Sequence, residues 1–493
     1  LTTAKKDFII LLVVITLVRR DDMFAGIDIG TGSAKGAFLL NSEKVVSSTA
    51  RYGGPSDRSG TQRTDVLAEA VEQLLRKAVN TAVEHGESIQ GLAFSGHGPS
   101  LVLLDGLGRA EESLLTWQDS SAAAEAEDLS RILPDFSKTG ECWEAKVLAA
   151  WKRLGGTWSG EKVLYPKDFV HYLLCGRAMM DHSSASTLAF FDPVAGVLEG
   201  EAAGIDSRIF PEIVKSWEMT GRCGTSFSRA CGIKDGVPVY GGGIDAWCEA
   251  IGAGAVEPGM IVDGSGTSTC VSECLEEGAS RLRHALPERC FRIETISYTG
   301  GSIRWAEELF GKTISEWKKL GNNSSPLPVI FLPYLIGERS PVWDKDASSL
   351  FMGLRNGDDG DTMMHAVLQG TAFAVGQCLD LLAPDRRGRS VRAVGGGAEN
   401  LPWLKMKAGI ADTTFQLMRD RDAAPLGAAM LAAYGAGEGD FRQLAERFTR
   451  VEAEVEPDKR HIERYRGLSA MYRRLYGTLK EEMKLLAEER RIE

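Results

Sequence analysis

In the stretch FAGIDIGTGSAKGAFLL, residues 24–40, an apolar run breaks at Asp28 into Gly30, Thr31, Gly32, Ser33 and Lys35 before apolar residues resume. Hydroxyls and an ammonium on a glycine-rich backbone suit the oxygens of a phosphate. Gly30, Gly32 and Gly36 are expected at positive φ, which would let the backbone approach such a ligand closely. Asp28 closes the first strand. A carboxylate there suits a Mg²⁺ shared with a phosphate, directly or through water, because magnesium takes one or two carboxylates and completes its shell with water and substrate oxygens. A tight connection between strands has the same composition, so this stretch alone leaves both readings open.

A second set lies in VPVYGGGIDAWCEAIGAG, residues 237–254, where a strand runs through Gly241, Gly242 and Gly243 into a helix with Asp245 in its first turn. The helix dipole is expected to keep that carboxylate ionised and ready to take a proton from a hydroxyl. The alternative is an Asp that only caps its own helix. Beyond the turn Glu257-Pro258-Gly259, MIVDGSGTSTCVS repeats the opening grammar, with Asp263, Gly266 and Ser268 in the relative positions of Asp28, Thr31 and Ser33. Two similar lobes clasping one polyphosphate are expected, divided near residue 256. VRAVGGGAEN, residues 391–400, is another strand entering a glycine-rich helix start, suited to backbone contact with a nucleotide. Trp117, Gln118 and Asp119 end a further apolar run, where a sheet presents side chains to a ligand or where a buried Trp sits beside a satisfied Asp.

These groups need elements to position them. Period-two apolar patterns predict strands over residues 45–52, 89–95 and 101–105, and helical spacing predicts a helix from Leu67 through Ala78 to His85. Pro166-Lys167-Asp168 opens another helix, and residues 181–186 read as a loop whose Asp and Ser side chains bond their own backbone. In residues 361–382 the stripe of Met364, Val367, Leu368, Thr371, Val375, Cys378 and Leu382 is core packing. PLGAAMLAAY, residues 425–434, is a small-residue helix able to pack tightly, and residues from 458 onward form a charged amphipathic helix.

With 493 residues, 43% of them hydrophobic, the chain can bury more than one large core. A net charge of −11 leaves no basic face for nucleic acid or anionic lipid, so neither partner is expected. Nine cysteines without a CxxC pair read as reduced thiols in a cytoplasmic protein. The apolar run FIILLVVITLV, residues 8–18, falls short of the ~20 residues of a membrane span. No small-residue cleavage site follows it, and Met23 directly precedes the first strand. Residues 1–22 are therefore expected to be an upstream extension of a working chain that starts at Met23; an intact mass beginning at Leu1 would refute this.

Taken in order, these motifs resemble the FGGY family of carbohydrate kinases from residue 23 to about residue 486. DIGTGSAKG is similar to the family's first phosphate motif, WQD to its sugar-side motif, and PKDF with DHSSAS to its mid-domain signature. GGGIDAWCEAIGAG is similar to the segment of the catalytic base, GSGTS to the second phosphate motif, FLPYLIGERSPVWD to the family signature, and GGGAEN with PLGAA to the adenosine region. The resemblance implies an α/β fold of two ribonuclease-H-like domains of the actin and hexokinase type, residues 23–256 for sugar and 257–493 for nucleotide, with the active site in the cleft between them. It implies that Asp245 removes the proton of a sugar hydroxyl, which attacks the γ-phosphate of ATP. Mg²⁺, Thr31, Thr267 and backbone amides stabilise the transferring group. Gly396, Gly397, Ala398 and Asn400 would then lie against the nucleotide.

The departures from the family pattern lie on the sugar side. Where xylulose kinases carry Met-His-Gly, this chain has Gly98, Pro99 and Ser100, with His97 standing where a Gln is usual. The Arg expected after the WxD motif is replaced by Ser120 and Ser121. A xylulose-like ketose or its polyol is the first expectation for the acceptor and a sugar acid such as gluconate the second, with a homodimer as an option for assembly. A nucleotide-switched ATPase of the actin and chaperone kind, or a family member that senses sugar without turnover, is the reading from a different class. Asp245 together with WQD separates the kinase from the ATPase, whereas the sensor predicts ligand-induced stabilisation without turnover.

Overall fold

The computed structural model describes residues 22–53, 60–133, 141–319, 325–386 and 388–490, with the side chains of 317–319 left aside. The expected extension lies outside these residues, except that Asp22 already belongs to the first strand. Strands β1 (Asp22–Ile29), β2 (Ser33–Leu39) and β3 (Val45–Arg51) form an antiparallel meander, and β4 (Ser88–Gly96) lies parallel to β1. Helix α1 (Thr64–His85) crosses between them, burying Leu67, Val71, Leu74, Leu75 and Ala78, and ends on Gly86 at φ 69°. A strand not foreseen from the sequence pattern, β5 (Met219–Arg222), and the expected β6 (Pro238–Tyr240) complete the order β5-β6-β4-β1-β2-β3, and Gly243–Ile244 pairs beside β4. Helices α2 (Trp143–Arg153) and α3 (Pro166–Cys175) lie within the same half of the chain.

The second sheet repeats this plan. Strands β7 (Ile261–Ser265), β8 (Thr269–Glu276) and β9 (Arg289–Ile296) form the meander, β10 (Val391–Val394) runs parallel to β7, and β11 (Phe415–Met418) and β12 (Val451–Val455) extend the sheet. Its order, β9-β8-β7-β10-β11-β12, matches the first sheet strand for strand, with a parallel pair and then an antiparallel edge beyond the second central strand. The weak sequence repeat around Asp28 and Asp263 is thus a repeat of topology.

The halves meet through two helices, α4 (Asp245–Gly252) and α8 (Ala423–Gly435). A Cβ on Gly252 would stand 1.9 Å from Ala423 O, and one on Gly427 1.9 Å from Cys248 O, so these helices touch backbone to backbone. A Cβ on Gly26 would meet Pro425 O at 2.0 Å, which lays α8 across β1. Although α8 comes late in the chain, it packs on the first sheet, and one buried apolar cluster runs through Phe24, Trp247, Val262 and Met430 across the junction. Elsewhere the second sheet is covered by α6 (Gly360–Leu382), α7 (Leu401–Ala411) and α9 (Ile462–Arg490), and α5 (Thr299–Phe310) packs against α6. Every residue of the α6 stripe is buried. Among the described residues no helix is long and apolar enough to cross a membrane, and all nine cysteines are free thiols.

Candidate active site

The register of the first sheet builds the site. Asp28 lies opposite Lys35 across the β1–β2 hairpin and opposite Ser95 on β4, and Ser95 donates its hydroxyl to Asp28 Oδ1 at 2.9 Å. Gly243 pairs with the same Ser95, so the strand that leads to Asp245 and that of Asp28 flank Ser95 on its two sides. Gly242 takes φ 72° and a Cβ there would lie 2.0 Å from Phe94 O, so the sharp entry to α4 requires glycine. Gly30, Gly32 and Gly36, by contrast, are not at positive φ. Gly36 sits inside the β1–β2 pairing and is small because Phe38 and Leu74 crowd it, which corrects the expectation of left-handed backbone there.

Asp245 stands at the start of α4 and accepts the Ala246 N–H at 2.8 Å. It keeps some exposure, yet protein crowds its carboxyl enough that burial, then the neighbouring Asp28 charge, pushes it up to about 7 against the pull of Ala246 and Arg339. Burial outweighs the helix dipole, so the expectation of an always-ionised carboxylate is corrected. One turn on, Glu249 is pushed up to about 8 by burial and by Asp245, Asp28 and Asp263. A Cβ on Gly264 would fall 1.6 Å from Glu249 Oε1, so this carboxylate reaches onto β7 where the second hairpin begins. Burial raises Asp28 as well, against Ser95 and Lys35.

The two hairpins use their matching aspartates differently. Asp263 is buried in an ion pair with Lys407 of α7 at 2.6 Å, and Lys407 also donates to Ser265 Oγ. Asp28 has no ion pair among the described residues, because Lys35 pairs with Asp422, beside the start of α8, at 2.5 Å. Lys35 is therefore a tie between the halves as the structure stands. In the second hairpin Gly266 and Thr267 are exposed, Thr267 Oγ1 accepts from Arg304, and Gly266 N–H donates to Ser268 O. Gly395, at φ 79°, turns β10 into a 3-10 turn at Gly396–Glu399; Gly396 is open, Ala398 is buried, and Asn400 caps α7 by accepting the Trp403 N–H.

On the other side of Asp245, the end of β4 leads into His97, whose N–H donates to Ile29 O. His97 is buried and shares a 2.7 Å hydrogen bond with Ser100 through Nδ1, while Nε2 has no partner. Burial, aided by the charge of Lys146, holds it near 4 and so neutral. Ile244 and the Tyr165 ring close in on Gly98, where a Cβ would stand 2.9 Å from Ile244 Cδ1. Trp117 donates its indole N–H to Thr31 Oγ1 at 2.9 Å, joining the WQD segment to the first hairpin. Asp119 is buried and accepts from Ser121, whereas Gln118 is exposed.

Sequence reasoning missed several residues here. Lys146, fully buried on α2, spends its donors on Pro99 O, Thr116 O and Glu141 O, and burial lowers it to about 8. Lys167 is buried between Asp168 and Asp181, 2.7 Å from the latter. Asp181 caps Ser183 and Ser184, as expected of its side chain, but what it opens is a helical turn, His182–Ala185, rather than a loop. Glu249 was legible as the residue one helical turn after Asp245. Arg339, in FLPYLIGERS, reaches Trp117 from the opposite half, its guanidinium 5.6 Å from the ring centroid.

The model for the N-terminal domain of the FGGY family of carbohydrate kinases matches residues 153–252, and that for the C-terminal domain matches residues 265–436, more than half of the chain together. The chain belongs to the FGGY family of carbohydrate kinases. It is a phosphotransferase with an alcohol group as acceptor. The chain is 26% identical to the xylulose kinase of Lactococcus lactis, over 94% of this chain and 98% of that one. It superposes with TM-score 0.83 on a "xyloylose kinase" from Brucella ovis, 25% identical, covering 93% of this chain and 99% of that one. A gluconate kinase from Lactobacillus acidophilus, 19% identical, shares the fold with TM-score 0.82, covering 93% and 98%.

Proposed function

We propose that this FGGY carbohydrate kinase transfers the γ-phosphate of ATP to a hydroxyl of a neutral ketose such as xylulose, or a related polyol, in the cleft between residues 23–256 and 257–493. The observation that carries this is the position of Asp245. The strand that leads into it pairs with Ser95, which bonds Asp28 of the first hairpin, its helix reaches the second hairpin through Glu249 and Gly264, and the sugar-side Trp117 is bonded to Thr31. Asp245 accepts the proton of the acceptor hydroxyl, and that oxygen attacks phosphorus in line as the β–γ bridging oxygen leaves with ADP. Thr31, Ser33 and Gly30 on one hairpin, and Gly266, Thr267 and Ser268 on the other, are placed to orient phosphate oxygens. Lys35 would exchange Asp422 for a phosphate or hold the halves together beside it. Gly396, Gly397, Ala398 and Asn400 border the nucleoside through backbone, since Ala398 is buried and Asn400 is already a cap.

Asp28 fits a cation: one oxygen takes Ser95, and among the described residues no ammonium or guanidinium forms an ion pair with it. Among the described residues no group of three His, Cys, Asp or Glu could hold an ion alone, in keeping with Mg²⁺ that arrives with the polyphosphate. Bound there, directly or through water, Mg²⁺ supplies charge neutralisation of the phosphates. The carboxylates Asp119, Glu141 and Asp245 outnumber the cations Arg339 and Lys146 around the acceptor side, which favours a neutral sugar over an aldonate. A cytoplasmic location and a small-molecule partner follow from this reading. A coupled ADP-release screen across ketoses, polyols and aldonates tests it, with Asp245→Asn alongside. ATP hydrolysis at one rate whatever the acceptor, unchanged in Asp245→Asn, would sink it.

A further inference from the structure

Arg339 is rooted in the second half and ends on the first. Its backbone N–H donates to Ser297 Oγ at 3.0 Å and Glu338 Oε1 at 2.8 Å, and Ser340 N–H donates to Thr295 O at 2.9 Å, so the chain here is pinned to the end of β9. Glu338 Oε1 also takes the Ser297 N–H, which fixes the same corner twice. The tip is different. Among the described residues the guanidinium makes no hydrogen bond and no ion pair, and its contact is the face of Trp117, whose indole N–H is in turn bonded to Thr31. A guanidinium carries five N–H donors in a planar fork, and those of Arg339 stay accessible from the cleft and untaken by described protein groups, so a ligand can meet them. Lys146, the other cation on this side, has already spent its donors on three carbonyls. The tip lies over Trp117, and its charge pulls the carboxyls of Asp245 and Glu141 downward.

We propose that Arg339 is an acceptor-contacting residue supplied by the opposite half: its guanidinium donates to hydroxyl or carbonyl oxygens of a neutral sugar lying between Trp117 and Asp245, so that sugar occupancy draws the two halves together. This rests on the reading of Asp245 as the base and of Trp117 as part of the sugar wall. It makes Arg339 a determinant of sugar recognition that none of the residues on the first half can replace, because only a group from the second half links binding to closure. A guanidinium that merely stacked on Trp117 as a strut would matter to stability and to both substrates alike.

The test is steady-state kinetics of Arg339→Met and Arg339→Lys with the best acceptor of the wild-type enzyme, varied against ATP. Loss of charge-assisted hydrogen bonds predicts that Arg339→Met raises the acceptor KM by about 10- to 100-fold while the ATP KM stays within about twofold. Arg339→Lys, which keeps the charge but loses the fork, falls between. An unchanged acceptor KM, or an equal rise in both KM values, overturns the proposal. Should the wild-type protein turn over no sugar, the kinase reading falls by itself. The proposal is then read from thermal midpoints: sugar-induced stabilisation lost in Arg339→Met with nucleotide-induced stabilisation kept supports it, and sugar-induced stabilisation kept overturns it.

Discussion

Lys407 Nζ lies 2.6 Å from Asp263 Oδ2 with both side chains only 1% exposed, whereas Asp28, at the matching point of the first hairpin, is bonded to the hydroxyl of Ser95. The repeat has thus split its two aspartates between jobs. Removing one partner of a buried pair leaves an uncompensated charge at a cost of about 3–5 kcal/mol. Lys407→Met is therefore expected to lower the urea midpoint severely, with Asp263→Asn less damaging because the lysine keeps Ser265. Asp28→Asn should stay folded and lose turnover, with weaker binding of ADP in the presence of Mg²⁺ than in its absence by calorimetry. Equal destabilisation by Asp28→Asn and Asp263→Asn would contradict the split.

Asp245 and Glu249, pushed up to about 7 and about 8, define a pH dependence. The base must be ionised to accept a proton, so kcat/KM is expected to rise with pH through a limb near 7 and to be lost below it. Because the two carboxyls interact, the limb belongs to the pair. Glu249, the higher of the two, still carries its proton through the limb, so Glu249→Gln should leave the limb in place. A limb moved to lower pH would show that Glu249 is ionised beside Asp245.

The same shift makes a stability claim of opposite sign to the usual carboxylate. The folded state binds the Asp245 proton more tightly than the unfolded chain, so this group's favourable contribution is present when protonated and is lost as pH rises from about 4 to about 7. At pH 8 the folded protein bears the cost of a buried charge. Asp245→Asn, though inactive, is expected to be more stable than wild type by about 1–3 kcal/mol at pH 8, discounted for its partial exposure, and no more stable at pH 4. Denaturant titrations at the two pH values check it.

How much of this was legible varies along the chain for physical reasons. The triple glycine before Asp245 and the apolar stripe of α6 announce themselves, because a φ-permissive turn such as that at Gly242 and a helical period are local properties. Strand β12, VEAEV, is exposed at four of its five residues and carries no apolar run to mark it. The packing of α8 on the first sheet was invisible for another reason: a helix apolar on every side says that it is buried but not against what. Lys407 gave no signal, since a lysine in sequence looks solvent-bound until its carboxylate partner, here Asp263 far along the chain, is placed. Arg339 sat inside a motif that was read whole rather than residue by residue.

The junction of α4 with α8 is a further test of the architecture. With Cβ positions at Gly252 and Gly427 falling 1.9 Å from backbone oxygens, even alanine requires the helices to move apart. Overpacking of this kind costs about 1–3 kcal/mol or more. Gly427→Ala is expected to lower the thermal midpoint, and Gly427→Val to prevent accumulation of folded protein. A neutral Gly427→Ala would mean that the halves are not in backbone contact there.

His97 carries the last prediction. Its Nδ1 is engaged by Ser100, its Nε2 is buried without a partner, and burial holds the ring neutral down to about pH 4. An unmet polar atom in such a place costs about 1–3 kcal/mol, which an acceptor hydroxyl would recover. His97→Ala should therefore raise the acceptor KM by about tenfold and leave the ATP KM within about twofold. Because the ring does not titrate between pH 5 and 8, the wild-type acceptor KM should show no step near 6.5 from this residue. Equal changes in the two KM values would place His97 outside the sugar pocket and leave its Nε2 to a buried water.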